Sequence, residues 1–346
     1  MLFERLSSVC ISYDANYLRD GAGSQLARQI GAFVVSRQFK VPYHHEDILS
    51  VDGNYGDGMN SEQEMRGVVE QLNAISGLRA SDCRHLLHDE IIQWPSLSES
   101  SFKMFLKFLL HQIRGFMRRK RILIAIGNPH TYLNSRTFLY NDYYSAGSVS
   151  DQFRNCEKLN IHLHIMGAKD LTRNQDRYVN INFFRDISRF LQLQFNFLGI
   201  ETYWTIHTDA PKEAEIWRPP SYTDSKTIQA WKNAGILDSQ NVMRVNGYDF
   251  NEFLHLKNLR ILRGLNPIES WKEMSQADVM IANKSMFSFI GALINSIPIV
   301  LFPEFTIRPL PQWILLNQYL LINELSDENS HRIWELLQNR LKLRYR

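Results

Sequence analysis

The side chains best suited to chemistry lie between Ala277 and Pro303, where a short apolar run, a polar turn and a longer apolar run follow one another. The first run, Val279 to Ile281, predicts a buried strand, and Met286 to Ile294 predicts a buried helix. Ser285 stands where that helix starts, so its hydroxyl can cap the first turn. Because N–H groups in a first turn lack helical partners and coincide with the positive end of the helix dipole, such a turn binds anions, and phosphate most readily. A capped core helix without a ligand gives the same pattern, so both interpretations stay open.

A second group of ionisable side chains lies in the N-terminal half, at His44, His45, Glu46 and Asp47. Neighbouring residues of a strand point to opposite faces, so only alternate members of this group can meet one ligand. Ionisable side chains of this kind can act as a general base, and we take His44, Glu46 and the earlier Asp20 as the candidates. We expect no metal ion at this group.

The elements that position these groups begin with a strand, a glycine-rich turn and a helix. Ser8 to Tyr13 predicts the strand, Gly21 and Gly23 lie in the turn, and Leu26 to Phe39 predicts the helix. The third glycine of a dinucleotide fingerprint is missing, so nicotinamide binding is not favoured. The two glycines instead indicate a tight turn with close approach of the backbone.

The second half of the chain again alternates strands with helices. Ile161 to Ile165 has the period of a strand and contains His164, and Tyr203 to His207 predicts a strand that leads to Asp209. An amphipathic helix is predicted between them, at Asn182 to Phe197. A further strand is predicted at Val242 to Val245, followed by a helical span from Phe250. This alternation predicts a second doubly wound parallel sheet and an α/β protein.

The order of these motifs resembles that of the fucosyltransferase superfamily, the α-1,2-, α-1,6- and protein-O-fucosyltransferases. A strand ending in His164, a polar loop closing on Arg177-Tyr178, a strand ending before Asp209 and the segment Lys284 to Ser288 follow in the family's order. The resemblance covers roughly Ile161 to Phe302, with the Gly21 to Gln25 loop as an outlying match.

The resemblance implies two Rossmann-like domains facing across a cleft, the GT-B arrangement, with residues 1–155 on the acceptor side and 156–346 on the nucleotide-sugar side. It implies transfer of a sugar from a nucleotide diphosphate such as GDP-fucose to a glycan acceptor, without a metal or another cofactor. The donor-binding residues that it implies are Gly21, Gly23, Gln25, His164, Asp170, Asp209, Lys284, Ser285, Met286, Phe287 and Ser288.

One motif departs from the family pattern. Where the family has His-x-Arg-Arg-x-Asp, the chain runs from His164 to Lys169-Asp170 without either arginine. A departing diphosphate needs a cation beside it, and Lys169 is the first basic residue after His164, so we take it as a catalytic candidate. The donor is therefore left open between activated fucose, rhamnose, galactose and mannose. A catalytically inactive carbohydrate-binding or assembly protein is the alternative.

The composition of the chain indicates which binding partners and which cellular compartment to expect. With 39 basic and 36 acidic residues, the net charge of +3 does not favour nucleic acid as a partner. The three cysteines, Cys10, Cys83 and Cys156, predict reduced thiols of a cytoplasmic protein. No apolar stretch has the length of a signal sequence or a membrane span.

Two basic segments could touch a membrane surface. The run Arg118 to Arg121 ends a predicted helix, where we expect a solvated last turn, with a membrane or polyanion role as the alternative. The tail, His331 to Arg346, has apolar residues at helical spacing and a basic end. We expect it to pack on the sheet, with peripheral membrane contact through the basic C-terminus as the alternative.

Overall fold

The computed structural model describes residues 8–16, 21–51, 61–75, 78, 87–97, 100–133, 136, 139–140, 157–166, 179–219, 221, 223, 225–233, 235, 237–303, 307–316 and 327–341. Within these residues the helices are α1 (Ala22–Phe39), α2 (Glu62–Ile75), α3 (Ser101–Arg118), α4 (His130–Leu133), α5 (Ile181–Phe197), α6 (Ser225–Asn233), α7 (Pro267–Met274), α8 (Met286–Ile294) and α9 (Asp327–Leu341). The strands are β1 (Val9–Tyr13), β2 (Glu90–Ser96), β3 (Ile122–Asn128), β4 (Lys158–His164), β5 (Glu201–Thr208), β6 (Glu215–Trp217), β7 (Met243–Val245), β8 (Leu259–Arg263), β9 (Val279–Ile281), β10 (Ile299–Phe302) and β11 (Ile314–Leu315).

The chain divides into two compact units, each with its own parallel sheet. Unit 1 comprises Met1–Asp52, Arg66–Tyr143 and Thr306–Leu310, and unit 2 comprises Gly53–Met65, Tyr144–Phe305 and Pro311–Arg346. The α/β class with parallel sheets, predicted from the alternation of strands and helices, is confirmed. The boundary between residues 155 and 156 stays a prediction.

Unit 1 is built on a three-stranded sheet in the order β1-β3-β2. Both strand pairs are parallel, and β1 is in register with Ile122–Ile126 of the central strand β3. Every residue of β1 is buried, as its continuous apolar sequence predicts. The edge strand β2 was not predicted, because its pairing partner lies far along the chain and Pro95 argues against a strand when the sequence is read locally.

Unit 2 is built on a six-stranded sheet in the order β11-β10-β9-β4-β5-β8, with all neighbouring strands parallel. Its two faces differ. One face carries apolar side chains such as Leu163 and Trp204, which belong to a large core shared with α5 and α9. The other face carries His162, His164 and His207, because residues two apart on a strand share a face and His207 is in register with His164.

The C-terminal helix α9 completes the core of unit 2. Ile333, Trp334, Leu337 and Leu341 are all buried in that core, which confirms the expected packing. The apolar stripe of the helix is therefore not available to a membrane. The basic end beyond Leu341 lies outside the described residues.

Two expectations for unit 2 are wrong in detail. The strand predicted at Val242 to Val245 pairs antiparallel with β6 in a separate two-stranded ribbon, so it takes no part in the parallel sheet. The helical span predicted from Phe250 is a single 3₁₀ turn at Asn251–Phe253, and β8 follows it. Both outcomes depend on pairing between segments that are distant in the sequence, and a local sequence pattern does not show such pairing.

The prediction of reduced thiols is wrong for Cys10. This residue is buried, as expected, but it is disulfide-bonded. Spacing along the sequence does not show which cysteines meet, because a disulfide depends on distances in the fold. Cys83 and Cys156 lie outside the described residues.

Among the helices that the structure describes, none has both the length and the apolar character that a membrane crossing requires.

Candidate functional site

The turn between β9 and α8 lies at the carboxyl edge of the unit 2 sheet. Ser285 is the N-cap residue of α8, and its Oγ accepts a hydrogen bond from the Phe287 N–H at 3.1 Å. The Phe289 N–H donates to the Ser285 carbonyl at 3.0 Å, which closes the first helical turn. The strand, turn and capped helix predicted for this segment are thus confirmed. The N–H groups of Met286 and Ser288 belong to the first turn, where no carbonyl of the helix can accept from them.

His164 meets this first turn directly. Its Nδ1 lies 2.5 Å from the Ser288 Oγ, and its ring centroid lies 5.2 Å from that of Phe287. The Asn283 N–H donates to the same Ser288 Oγ at 3.4 Å. Burial lowers the pKa of His164 to about 4, which keeps the ring neutral at pH 7. The resemblance implies that His164, Asp209 and the turn at Ser285 converge on the donor, and of these contacts the one between His164 and the turn is present.

Most polar groups of this turn are already enclosed by the protein. Asn283, Ser285 and Ser288 are buried, whereas Lys284 and Phe287 are partly exposed. A ligand would therefore approach the helix start from the side of Lys284 and Phe287.

Trp271 of α7 holds Phe287 in place and was missed from the sequence. Its Nε1 donates to the Phe287 carbonyl at 3.2 Å, and the two rings stack with their centroids 5.1 Å apart. The start of α7 could have been found from Asn266, Pro267 and Glu269, which form a capping box with proline in the first turn. The contact itself depends on the packing of α7 against α8.

A pair of buried histidines lies beside His164 and was also missed. His162 Nδ1 lies 2.9 Å from His207 Nε2. The other nitrogen, His207 Nδ1, is buried and has no hydrogen-bond partner among the described residues. Burial is the main cause that lowers the pKa of His162 to about 4 and that of His207 to about 2. The spacing of two residues between His162 and His164 could have indicated that both lie on one face of β4, whereas the register that brings His207 beside them leaves no signal in the sequence.

Asp209 directly follows β5, and residues further along the chain line an open cavity. The backbone there is fixed by the Ala210 N–H, which donates to Thr208 Oγ1 at 3.1 Å, and by Arg263 Nη1, which donates to the Ala210 carbonyl at 2.9 Å. The cavity, of about 460 Å³, is lined by Lys212, Ala214, Asn246, Gly247, Tyr248 and Asp249. Only glycine fits at position 247, because a Cβ there would lie 2.4 Å from the Glu213 carbonyl carbon.

In unit 1 the glycine-rich segment starts α1. Gly21 is the N-cap residue in an extended conformation, with no side-chain cap, and Gly23 lies inside the first turn of the helix. The expected tight turn at these two glycines is therefore a helix start instead, since the helix begins earlier than the apolar run suggested. Gln25 is buried, and its Oε1 accepts from Tyr13 Oη at 2.9 Å.

The His44 to Asp47 segment forms two separate contacts between a histidine and a carboxylate. His44 Nε2 lies 3.2 Å from Glu46 Oε1, and His45 Nε2 lies 3.2 Å from Asp47 Oδ1. The strand on which the expected alternation depended is not formed, since only Tyr43 has an isolated bridge, with Ile11, although residues two apart do pair. Burial lowers the pKa of His45. A histidine with a carboxylate partner is an arrangement that can take up a proton.

Three candidate residues, Asp20, Lys169 and Asp170, lie outside the described residues. Within the described ranges, no three side chains of histidine, cysteine, aspartate or glutamate are grouped so as to hold a metal ion.

No known family description and no curated protein matches the chain. A solved structure, that of E. coli ADP-heptose lps heptosyltransferase II, is similar at a TM-score of 0.36 and 10% sequence identity, over 96% of this chain and 98% of that chain. At this TM-score and identity, no activity is assigned to this chain by the likeness.

Proposed function

We propose that the chain is a glycosyltransferase that moves a sugar from a nucleotide diphosphate donor to a hydroxyl group of a glycan acceptor. The proposal includes the GT-B class of two Rossmann-like domains and a fucosyltransferase-like ancestry. The observation that carries it is the capped start of α8 at the carboxyl edge of a parallel sheet, with His164 against Ser288 at 2.5 Å. Ligands of open α/β sheets bind at that edge, and diphosphates bind at helix starts.

We assign candidate roles to residues of each unit. In unit 2, the N–H groups of the first turn of α8 supply positive potential for the departing diphosphate. The dipole of one helix is equivalent to about half an elementary charge, so a cation must assist, and Lys169 is our candidate for that role. In unit 1, the His44–Glu46 pair is our candidate for the base that takes the proton of the acceptor hydroxyl. The donor sugar is fucose or another hexose or deoxyhexose.

Nucleotide binding tests the proposal, with two matched proline variants. Ser285 has φ −139, which proline does not adopt, so Ser285→Pro distorts the helix start. Ser100 caps α3 with φ −64, which proline adopts, so Ser100→Pro is the matched control. Calorimetry with GDP, UDP, ADP, dTDP and CMP should give binding of at least one nucleotide to the parent and to Ser100→Pro. Binding to Ser285→Pro should be about tenfold weaker or more, since the charge-assisted contacts are lost.

The alternative is a catalytically inactive carbohydrate-binding or assembly protein. The observation that favours it is the burial of Asn283, Ser285 and Ser288, whose polar groups already have partners in the protein. If no nucleotide binds to the folded parent, this alternative stands and the glycosyltransferase proposal fails. If a nucleotide binds equally well to Ser285→Pro, the diphosphate lies elsewhere.

A further inference from the structure

Helix α3 of unit 1 exposes far more apolar surface than it buries. Only Met104, Phe108 and Gly115 of its 18 residues are buried. The exposed fractions of its large apolar side chains are Phe102 69%, Phe105 48%, Leu106 40%, Leu109 39%, Leu110 64%, Ile113 47%, Phe116 66% and Met117 76%. Single exposed apolar residues are common, but a contiguous patch of this kind marks a binding surface.

The side chains of α3 fall into three separate faces. At 3.6 residues per turn, the exposed apolar side chains occupy an arc of roughly 140°, and the buried face lies to one side of it. On the other side, an arc of roughly 60° holds only basic residues. These are Lys103, Lys107, Arg114 and Arg118. The apolar stripe therefore points away from the core, with a basic stripe alongside.

The charge of this region is strongly one-sided. The sequence of α3 contains no aspartate or glutamate, and Arg119, Lys120 and Arg121 follow it directly. Arg114 pairs with Glu90, and Arg121 pairs with Asp89. Within the described ranges, no carboxylate forms an ion pair with Lys103, Arg118, Arg119 or Lys120.

We propose that α3 binds in the plane of a membrane surface that contains anionic lipids. The apolar arc would enter the boundary between headgroups and acyl chains, and the basic arc would lie at the level of the headgroup phosphates. A helix that lies in this way needs a large apolar face beside a cationic one, and α3 has both. Its basic residues exclude it from crossing the bilayer.

Charge complementarity favours the membrane over a second copy of the chain. Two copies of α3 packed face to face would bring two basic stripes together without any acidic residue of either helix to offset them. Anionic lipid headgroups supply the opposite charge. This interaction does not depend on the glycosyltransferase proposal.

Vesicle flotation with one double variant and one matched control tests the proposal. Leu110→Glu with Met117→Glu places two acidic groups on the exposed arc of α3, where both side chains are more than half exposed at 64% and 76%. Leu193→Glu with Phe197→Glu makes the same change in charge on α5, at side chains exposed by 60% and 78%. Glutamate is a good helix former, so both proteins should fold, and circular dichroism melts check this.

The parent and the α5 variant should float with vesicles of phosphatidylcholine containing 30% phosphatidylglycerol, and the α3 variant should remain at the bottom of the gradient. Replacing Lys103 and Arg118 together by glutamine should weaken binding about 25-fold, because each basic residue contributes about fivefold near an anionic surface. Binding should also weaken as the salt concentration is raised.

A folded parent that does not float with these vesicles overturns the proposal, and so does equal flotation of the α3 variant. Self-association of the parent that the α3 variant abolishes, without flotation, would assign the surface to a second copy instead.

Discussion

His162, His164 and His207 lie on one face of the unit 2 sheet as neutral rings. Loss of hydration on burial is the main cause that lowers each pKa, and the charge of Arg260 lowers those of His162 and His207 further. His162 and His207 keep one hydrogen bond between them, at 2.9 Å. Protonating both rings would place two positive charges at that distance, so the folded protein resists taking up protons here.

The lowered pKa values of these histidines predict that the protein loses stability in mild acid. Their pKa values are lower in the folded chain than the usual 6.5, so the unfolded chain binds more protons as the pH falls below 6.5. The effect is absent above about pH 7 and grows as the pH falls. For His162 and His164 it levels off below about pH 4, where both are protonated in the folded state as well. Between pH 7.5 and pH 5, one such residue lowers the free energy of unfolding by about 2 kcal/mol.

Urea unfolding at both pH values measures this effect. His162→Gln should reduce the loss of stability between pH 7.5 and pH 5 by about 2 kcal/mol. The parent, measured at the same two pH values, is the control. An identical pH dependence of His162→Gln and the parent would show that His162 is not held neutral.

Some residues of the candidate site could be predicted from the sequence, but the residues that contact them could not. Ser285 and His164 were found because a capping serine and a histidine at a strand end leave local signals. Trp271 and the His162–His207 pair were not found, because their contacts depend on the packing of α7 and on the register of β4 with β5. Side chains that meet across a sheet or between helices leave no spacing signal in one sequence.

At the scale of elements, α8 is held against α7 by a close approach at Gly291. A Cβ at this position would lie 2.8 Å from Trp271 Cδ1 and 2.9 Å from Met274 Sδ. Trp271 also binds the Phe287 carbonyl at the start of α8. The packing that brings the two helices together therefore also fixes the proposed diphosphate site.

We predict that Gly291→Ala destabilises the protein by about 1–3 kcal/mol, the usual effect of overpacking a core. The matched control is Gly67→Ala in α2, where a Cβ would have nothing within 4 Å. That change should stabilise by roughly 0.5–1 kcal/mol, because alanine has the higher helix propensity. Denaturant titration of both variants measures whether each substitution lowers or raises the free energy of unfolding. An unchanged or higher stability of Gly291→Ala would mean that α7 moves aside without cost.

The elements themselves were predicted best where the pattern is local and apolar. The strand, turn and helix at β9 and α8 and the buried stripe of α9 were predicted because apolar spacing decides them. The strands β2 and β8 were missed, and β7 was assigned to the wrong sheet, because partners distant in sequence decide their pairing. The exposed apolar face of α3 was also not predicted, since an apolar helix sequence alone does not show which side of the helix is buried.

At the scale of the whole molecule, the α/β class could be predicted because alternating strands and helices allow few arrangements other than parallel sheets. The compartment could not be predicted in the same way. Three widely spaced cysteines suggested reduced thiols in the cytoplasm, whereas Cys10 is disulfide-bonded. The redox state of this residue therefore bears on where the protein works.

Thiol titration of the denatured protein tests the redox state directly. With one disulfide within the chain, we expect one of the three cysteines to react before reduction and all three after it. Cys10→Ser should show two reactive thiols before reduction, because its former partner is released. Reduction should lower the free energy of unfolding of the parent by about 2–4 kcal/mol and leave that of Cys10→Ser unchanged. Three reactive thiols in the untreated parent would restore the prediction of reduced cysteines and a cytoplasmic protein. A single reactive thiol would favour an oxidising compartment, because disulfides seldom persist among cytoplasmic reductants.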